Sequence, residues 1–287
     1  MKTIRSKFMT RSLAALALLT MGTSSFAVST WTYNGGVGVG SCATTAGSGL
    51  AMGNMLGCGT LDGVTMDATA FSTTNGATSS TGTTFATAAV YNWSSGLGTV
   101  NAYESASATG PHATDNRYGT DAILLHFSSA VSLTGIGIGW SGSSYGNLTG
   151  ATSTAIQDSD FSVLAYQGGA SGANTVVGKT LTGTAATSTL LTTGWTAVGN
   201  YADKTENTSV GVSSAIYSSY WLISAYNTAF GSTSANGGSL TAGNDYFKLA
   251  SVSAKKQTNV PEPGSIALLG LGLVGMVAAR RRKQAAM

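Results

Sequence analysis

Charge is scarce in this chain: Asp, Glu, Lys and Arg make up 9 % of its 287 residues, against about a quarter in an ordinary soluble domain. Histidine and cysteine occur twice each and proline three times. Neither cysteine has a CxxC spacing or a nearby histidine, which excludes the usual zinc and redox arrangements. The formal net charge of +3 belongs to the ends. Lys2, Arg5, Lys7 and Arg11 open the chain and Arg280, Arg281, Arg282 and Lys283 close it. Between residues 28 and 260, six Lys and Arg face ten Asp and Glu, a net charge of −4. A basic surface for nucleic acid is thereby excluded. Long amphipathic helix patterns are also missing between the two ends.

What is present at the ends is targeting chemistry. Residues 1–27 combine the charged start with an apolar run from Leu13 to Leu19 and a small-x-small site at Ser25-Phe26-Ala27. This is the order of a secretory signal peptide cleaved after Ala27, leaving Val28 as the first mature residue. At the other end stand Pro261-Glu262-Pro263, an apolar run from Ile266 to Ala279, and the basic cluster Arg280–Lys283. As a helix the run covers roughly 21 Å, short for a bilayer core of ~30 Å. The basic cluster would hold the C-terminus in the cytoplasm and place the body across the inner membrane. The stretch resembles the PEP-CTERM sorting signal of Gram-negative bacteria. That resemblance implies recognition and cleavage by the membrane protease exosortase, after transient anchoring in the inner membrane. The cell surface or an exopolysaccharide matrix is then the destination.

Residues 28–255 are long enough for one β-domain with a proper core, and 256–287 form a short linker plus the sorting signal. Glycine, 39 residues in all, alternates with Ser, Thr and recurrent aromatic clusters, which argues for a folded β-protein over a disordered one. Cys42 and Cys58, with four glycines between them, are expected to close a disulfide loop after export, worth about 3 kcal/mol in the chain-entropy model. Strands are expected at 86–93, 122–127, 131–140, 161–166, 195–201, 220–227 and 246–254, separated by Gly/Ser/Thr/Asn loops. In 131–140, Val131 and Leu133 have one parity while Ile136, Ile138 and Trp140 have the other. A bulge at Thr134-Gly135, with Gly135 left-handed, would bring all five to one face. The fold class expected is all-β, a jelly-roll-like two-sheet sandwich with long loops, plus the N-terminal signal helix and the C-terminal membrane helix. Trp140, Phe161, Trp195, Trp221 and Phe247 are its expected core residues.

The strings HATDNRYGTDAILLHF, VSLTGIGIGW, DSDFSVLAY, SSYWLISAYN and NDYFKLASV resemble the ectodomain of a family of exosortase-dependent surface proteins, over roughly residues 85–254. The resemblance implies fold and destination and brings no catalytic residue with it.

Catalytic patterns are weak. His126 lies inside an apolar strand, and Gly142-Ser143-Ser144-Tyr145-Gly146 matches the nucleophile elbow without its strand-turn-helix context. Gly270-Leu271-Gly272-Leu273-Val274-Gly275 fits a dinucleotide fingerprint but falls in the apolar C-terminal run. No enzyme activity and no cofactor are expected. Acidic groups at loop-to-strand edges remain: Asp115, Asn116 and Asp121, then Asp158 and Asp160, then Asp245. No metal site is assigned, though these five aspartates are the calcium candidates, since oxygen-rich loops at sheet edges hold Ca²⁺. A glycosidase would need two carboxylates facing across a groove, with Asp160 and Asp245 as the pair to test. Two functions fit: a non-catalytic structural or adhesive protein associated with exopolysaccharide, or a lectin-like carbohydrate-binding module. In the second, Tyr118, Tyr145 or Tyr217 would stack on sugars, with calcium as a bridging ion.

Overall fold

The computed structural model describes residues 27–33, 42, 51–74, 82–107, 112–142, 158–168 and 175–257, and nine positions between 270 and 284. The signal-peptide residues before Ala27 lie outside the described residues, as do Pro261, Glu262, Pro263, Arg282 and Lys283.

The all-β expectation is met. Among the described residues twelve strands follow in order: β1 (Val28–Thr32), β2 (Met55–Leu61), β3 (Val64–Ser72), β4 (Ala86–Trp93), β5 (Gly96–Val100), β6 (Thr114–Asp115), β7 (Asp121–Ser141), β8 (Phe161–Tyr166), β9 (Trp195–Tyr201), β10 (Thr208–Gly211), β11 (Ser218–Ala225) and β12 (Tyr246–Lys256). Two short helices, α1 (Ala102–Ser107) and α2 (Thr189–Thr192), and a 3-10 turn at Thr228–Phe230 interrupt them. The strands join in one antiparallel network, β1-β12-β5-β4-β3-β7-β11-β8-β9.

The 21-residue strand β7 organises this network. Its first part, Asp121–Phe127, lies between β3 and β11, and from Val131 it pairs with β12, with β10 on its other side further along. Because β12 also reaches β5 through Leu249 and Leu97, the strands β7, β12, β5, β4 and β3 close a ring. The apolar runs at 122–127 and 131–140, expected as two strands, are therefore two halves of one.

Both faces of β7's first half are buried except at His126, which explains its nearly continuous apolar run. Ile123, Leu125 and Phe127 enter the main core with Trp31, Tyr33, Trp221, Phe161 and Phe247. Ala122 and Leu124 turn to a second cluster, where Trp195, Val176, Leu181 and Leu190 cover the opposite face. The parity change is also observed. Leu133 pairs with Ala254 and Gly135 with Ser253, so Thr134 is the extra residue of a bulge, and Val131, Leu133, Ile136 and Ile138 all reach the main core. Gly135 itself is not left-handed, so the bulge does not draw on the conformation expected for it. Trp140 departs from expectation: it is half-buried beside Lys248, whose Nζ sits 5.2 Å from its ring centroid. At this end β7 and β12 slip register again, which carries Trp140 away from the core.

Cys42 and Cys58 are joined in a disulfide, both buried in the main core. At the C-terminus the described positions from Gly270 onward are helical and exposed, including Leu271, Leu273, Met276, Arg280 and Arg281. No helix among the described residues is long and apolar enough to cross a membrane.

Candidate functional site

The sequence stretch Asp115–Asp121 stands between two carboxylate clusters. Asp115 ends β6, held against β12 by pairing with Tyr246. Asp115 then joins Glu104 and Asp121, while the next residue, Asn116, reaches the group formed by Asp158, Asp160 and Asp245. In each group one oxygen per residue lies within 4.8 Å of the others.

Local rules place the first group. Asn101 caps α1: its Oδ1 accepts the N–H of Tyr103 at 3.1 Å and of Glu104 at 3.0 Å. Glu104 Oε2 in return accepts the Asn101 N–H at 3.4 Å, a reciprocal capping box that turns the Glu104 carboxylate back toward the helix start. The Asn101 amide donates to Asp121 Oδ1 at 3.5 Å, tying the cap to the first residue of β7. The turn from Asp115 to Asp121 needs Gly119, which has φ +125° and packs so that a Cβ would lie 2.8 Å from Thr74 N.

All three carboxylates of this group are buried. Burial raises Glu104 to about 10, with the Asp115 and Asp121 charges adding to it. Burial likewise raises Asp115 to about 7, opposed by the Arg117 N–H and the Arg117 charge. Asp121 is raised well above the usual carboxylate range by burial and then by Asp115. Asp115 Oδ1 accepts the Arg117 N–H at 3.0 Å, but the Arg117 guanidinium itself lies 4.6 Å over the Tyr118 ring. Asp115 Oδ2 and Asp121 Oδ2 are sealed from solvent without a hydrogen-bond partner.

The second group is held largely by backbone donors, though Asp158 Oδ1 is buried without a hydrogen-bond partner. Asp160 accepts the N–H of Asp203 and of Thr241, both at 2.7 Å. Asp245 Oδ1 accepts the Asp160 N–H at 2.9 Å, and its Oδ2 accepts from the Asn116 amide. Asn116 Oδ1 takes the Asp245 N–H at 3.0 Å. Thr241 Oγ1 hydrogen-bonds Asp158 Oδ2 at 3.0 Å. Burial, and then the Asp158 and Asp160 carboxylates beside it, raise Asp245 well above its ordinary value. Burial raises Asp160 to about 6 against its two backbone donors.

The five aspartates singled out from sequence thus divide between two groups, and Glu104 was missed. Its signal was the Asn101-x-x-Glu104 spacing behind a strand. Asp160 and Asp245 do not face each other across a groove: Asp245 binds the backbone of Asp160 and both are buried. His112 stacks on Trp93 at 5.3 Å; His126 stacks on Tyr220 at 4.6 Å and lies 3.7 Å from Asp67. Of the proposed sugar-stacking tyrosines, Tyr118 is half-buried against Tyr103, with centroids 4.5 Å apart. Tyr217 is half-buried, and Tyr145 lies outside the described residues. A different aromatic patch exists, in which Lys248 Nζ lies 5.1 Å from the Trp93 ring centroid and 5.2 Å from that of Trp140. Tyr91 packs on Trp93 at 4.4 Å.

No curated protein and no solved structure matches the chain. A family model, the PEP-CTERM protein-sorting motif, matches residues 259–283, the segment that holds the Pro-Glu-Pro turn, the apolar run and the basic cluster. The C-terminal segment of the chain therefore carries the PEP-CTERM protein-sorting motif, which supports sorting by exosortase.

Proposed function

We propose that this exported protein is a non-catalytic structural or adhesive component of the cell surface or extracellular matrix, associated with exopolysaccharide after exosortase has removed its C-terminal anchor. In this reading the ring of strands is a variant of the jelly-roll-like two-sheet sandwich. The observation that carries the reading is where the aromatic and acidic groups go. Among the described residues no aromatic side chain is exposed, and six of the ten acids of the body are gathered in the two carboxylate groups, five of them buried. Apart from a few charged and apolar side chains such as Asp62, Glu206 and Met55, what faces outward in the body is mostly small, uncharged and rich in hydroxyls, a surface suited to hydrated polysaccharide. The test is fractionation of the producing cells. The protein is expected in the polysaccharide matrix and released when that polysaccharide is digested; recovery from the medium with or without digestion would sink the association. Replacing Pro261 and Pro263 with Ala is expected to leave an uncleaved protein in the inner membrane.

A second reading, a carbohydrate-binding module, is favoured by the patch of Tyr91, Trp93, Trp140 and Lys248. Half-buried indole rings bridged by a cation offer a partial stacking face for a sugar ring and a positive charge for an acidic one. Titration with the producer's purified polysaccharide decides it: saturable binding that W93A and W140A weaken at least tenfold supports the module, and affinity unchanged in both variants removes it.

A further inference from the structure

We propose that Glu104, Asp115 and Asp121 form a binding site for one divalent cation, Ca²⁺ by its chemistry, which clamps α1, β6 and the start of β7 together in the exported protein. Three carboxylates from three elements bring one oxygen each within 4.8 Å of the others. Atoms so placed leave a central point no further than about 2.8 Å from any of them, close to the 2.3–2.6 Å of calcium–oxygen bonds. The independent sign is the pair of orphaned oxygens. Asp115 and Asp121 are both 0 % exposed, and the Oδ2 of each has no donor. A buried carboxylate oxygen among like charges is costly unless a proton or a cation meets it. The neighbouring group of Asp158, Asp160 and Asp245 meets the same problem with backbone N–H donors and is left with one such oxygen, Asp158 Oδ1, on a half-buried residue. Asp115 and Asp121 make no ion pair with any described residue, and the Arg117 guanidinium is occupied over Tyr118.

Charge and hardness select the ion. The donors are all oxygens, which suits Ca²⁺ or Mg²⁺ over softer metals. Mg²⁺ retains several waters, whereas Ca²⁺ tolerates irregular shells of carboxylates, and a sealed site favours the ion that sheds water. Two positive charges from the ion and one from Arg117, whose field reaches Glu104 and Asp115, neutralise the three carboxylates.

The test is a calcium titration of the full-length chain in detergent after chelator treatment, followed by calorimetry and by thermal melting. One ion per chain is expected, with a dissociation constant of about 10⁻⁵ to 10⁻³ M, the range from weak sensors to extracellular modules. The melting temperature should rise by several degrees at saturation. Terbium luminescence gives a second readout, because Tyr118 and Tyr246 lie near enough to feel the charges of Asp115 and Glu104. E104Q and D121N are each expected to weaken binding at least tenfold, and D158N to leave it unchanged. A wild-type protein with neither binding heat nor a melting shift overturns the proposal, even if the variants fail to fold. A calcium response kept in D121N and lost in D158N overturns it as well, by moving the ion to the other group.

Discussion

Two carboxylate groups of equal size, joined through the adjacent residues Asp115 and Asn116, handle buried negative charge to different degrees. Asp158, Asp160 and Asp245 sit among N–H donors supplied by Asp203, Thr241 and Asp160 itself, with the Asn116 amide beside them, and Asp158 Oδ1 is the oxygen left without a donor. Glu104, Asp115 and Asp121 converge as closely, yet Asp115 and Asp121, both fully buried, each keep an oxygen with no donor. Part of the difference lies in backbone. Asp158 and Asp245 bridge in parallel between two loops, and loops have N–H groups to spare. Asp121 opens a strand whose amides are committed to β3 and β11. Two fully buried orphaned oxygens in one group make the stronger case for a cation than one orphan at a half-buried residue in the other.

The sharpest way to break this comparison is to remove the centre of the Asp158–Asp160–Asp245 group. Asp245→Ala deletes the acceptor of the Asp160 N–H, which is left buried without that partner, and one of the two acceptors of the Asn116 amide, which keeps Tyr226 O. At about 1–3 kcal/mol for an orphaned donor, together with the lost Asn116 bond and the truncated side chain, unfolding in urea should show a loss of roughly 2–4 kcal/mol. The loss should be the same with calcium and with chelator; a calcium-dependent loss would mean that the two groups are not separate.

Gly119→Ala probes the group of Glu104, Asp115 and Asp121 through its turn. With φ +125° and a Cβ forced to within 2.8 Å of Thr74 N, the substitution strains the segment that carries Asp115 to Asp121. A destabilisation of about 2–3 kcal/mol is expected, and here the calcium-induced rise in melting temperature should shrink too. An intact calcium response in a destabilised protein would show that the turn does not position the site.

How far these groups were legible in the sequence follows from the same contrast. Strands 86–93, 161–166 and 195–201 carry their large residues in the sequence and appear with the expected bounds. The Thr134 bulge was legible because apolar residues that change parity within one strand can share a face only if an extra residue is inserted between them. β2 and β3 were not, although Asp62-Gly63, both at positive φ between the paired Leu61 and Val64, is a strong short-range hairpin signal. Their glycines and threonines hid the alternation. Ser128-Ser129-Ala130 looked like a break between strands, since composition reports burial and not which partner a strand takes. For the same reason five aspartates read as one set of loop acids: nothing local shows that Asp115 and Asn116 point into different groups. Glu104 stood in a helix of six residues, too short for an apolar period to announce it.

A smaller effect separates the groups by pH. Asp160 is raised to about 6 by burial, against about 3.9 in an unfolded chain. A folded-state value above the unfolded one means that the native state binds the proton more tightly, so this contribution is complete below about pH 4 and is lost as pH rises through about 6. With calcium held saturating, the stability of the wild type relative to Asp160→Asn should fall by roughly 1–2 kcal/mol between pH 4 and 7. The variant loses an acceptor and is less stable throughout, so the slope is the readout; equal slopes would mean that the Asp160 charge is compensated in the folded state.

The smallest effect is also the most discriminating, because its sign reverses. Asp121→Asn keeps the size of the side chain and the oxygen that accepts from the Asn101 amide, while removing one charge from a buried group of three. In chelator this removes a carboxyl whose ionisation is opposed by burial and then by Asp115, and the variant should match or exceed the wild type by about 1 kcal/mol. In saturating calcium the wild type gains the binding energy that the variant lacks, and the order inverts. The matching change in the other group, Asp158→Asn, places an amide donor opposite Asp245 and should shift stability equally in both conditions, by under about 1 kcal/mol. Melting curves of the two variants with and without calcium therefore form a two-by-two test, in which a crossing for Asp121→Asn and parallel shifts for Asp158→Asn distinguish a cation site from a proton-holding network. Parallel shifts for both would make the two groups alike and leave the orphaned oxygens of Asp115 and Asp121 to protons.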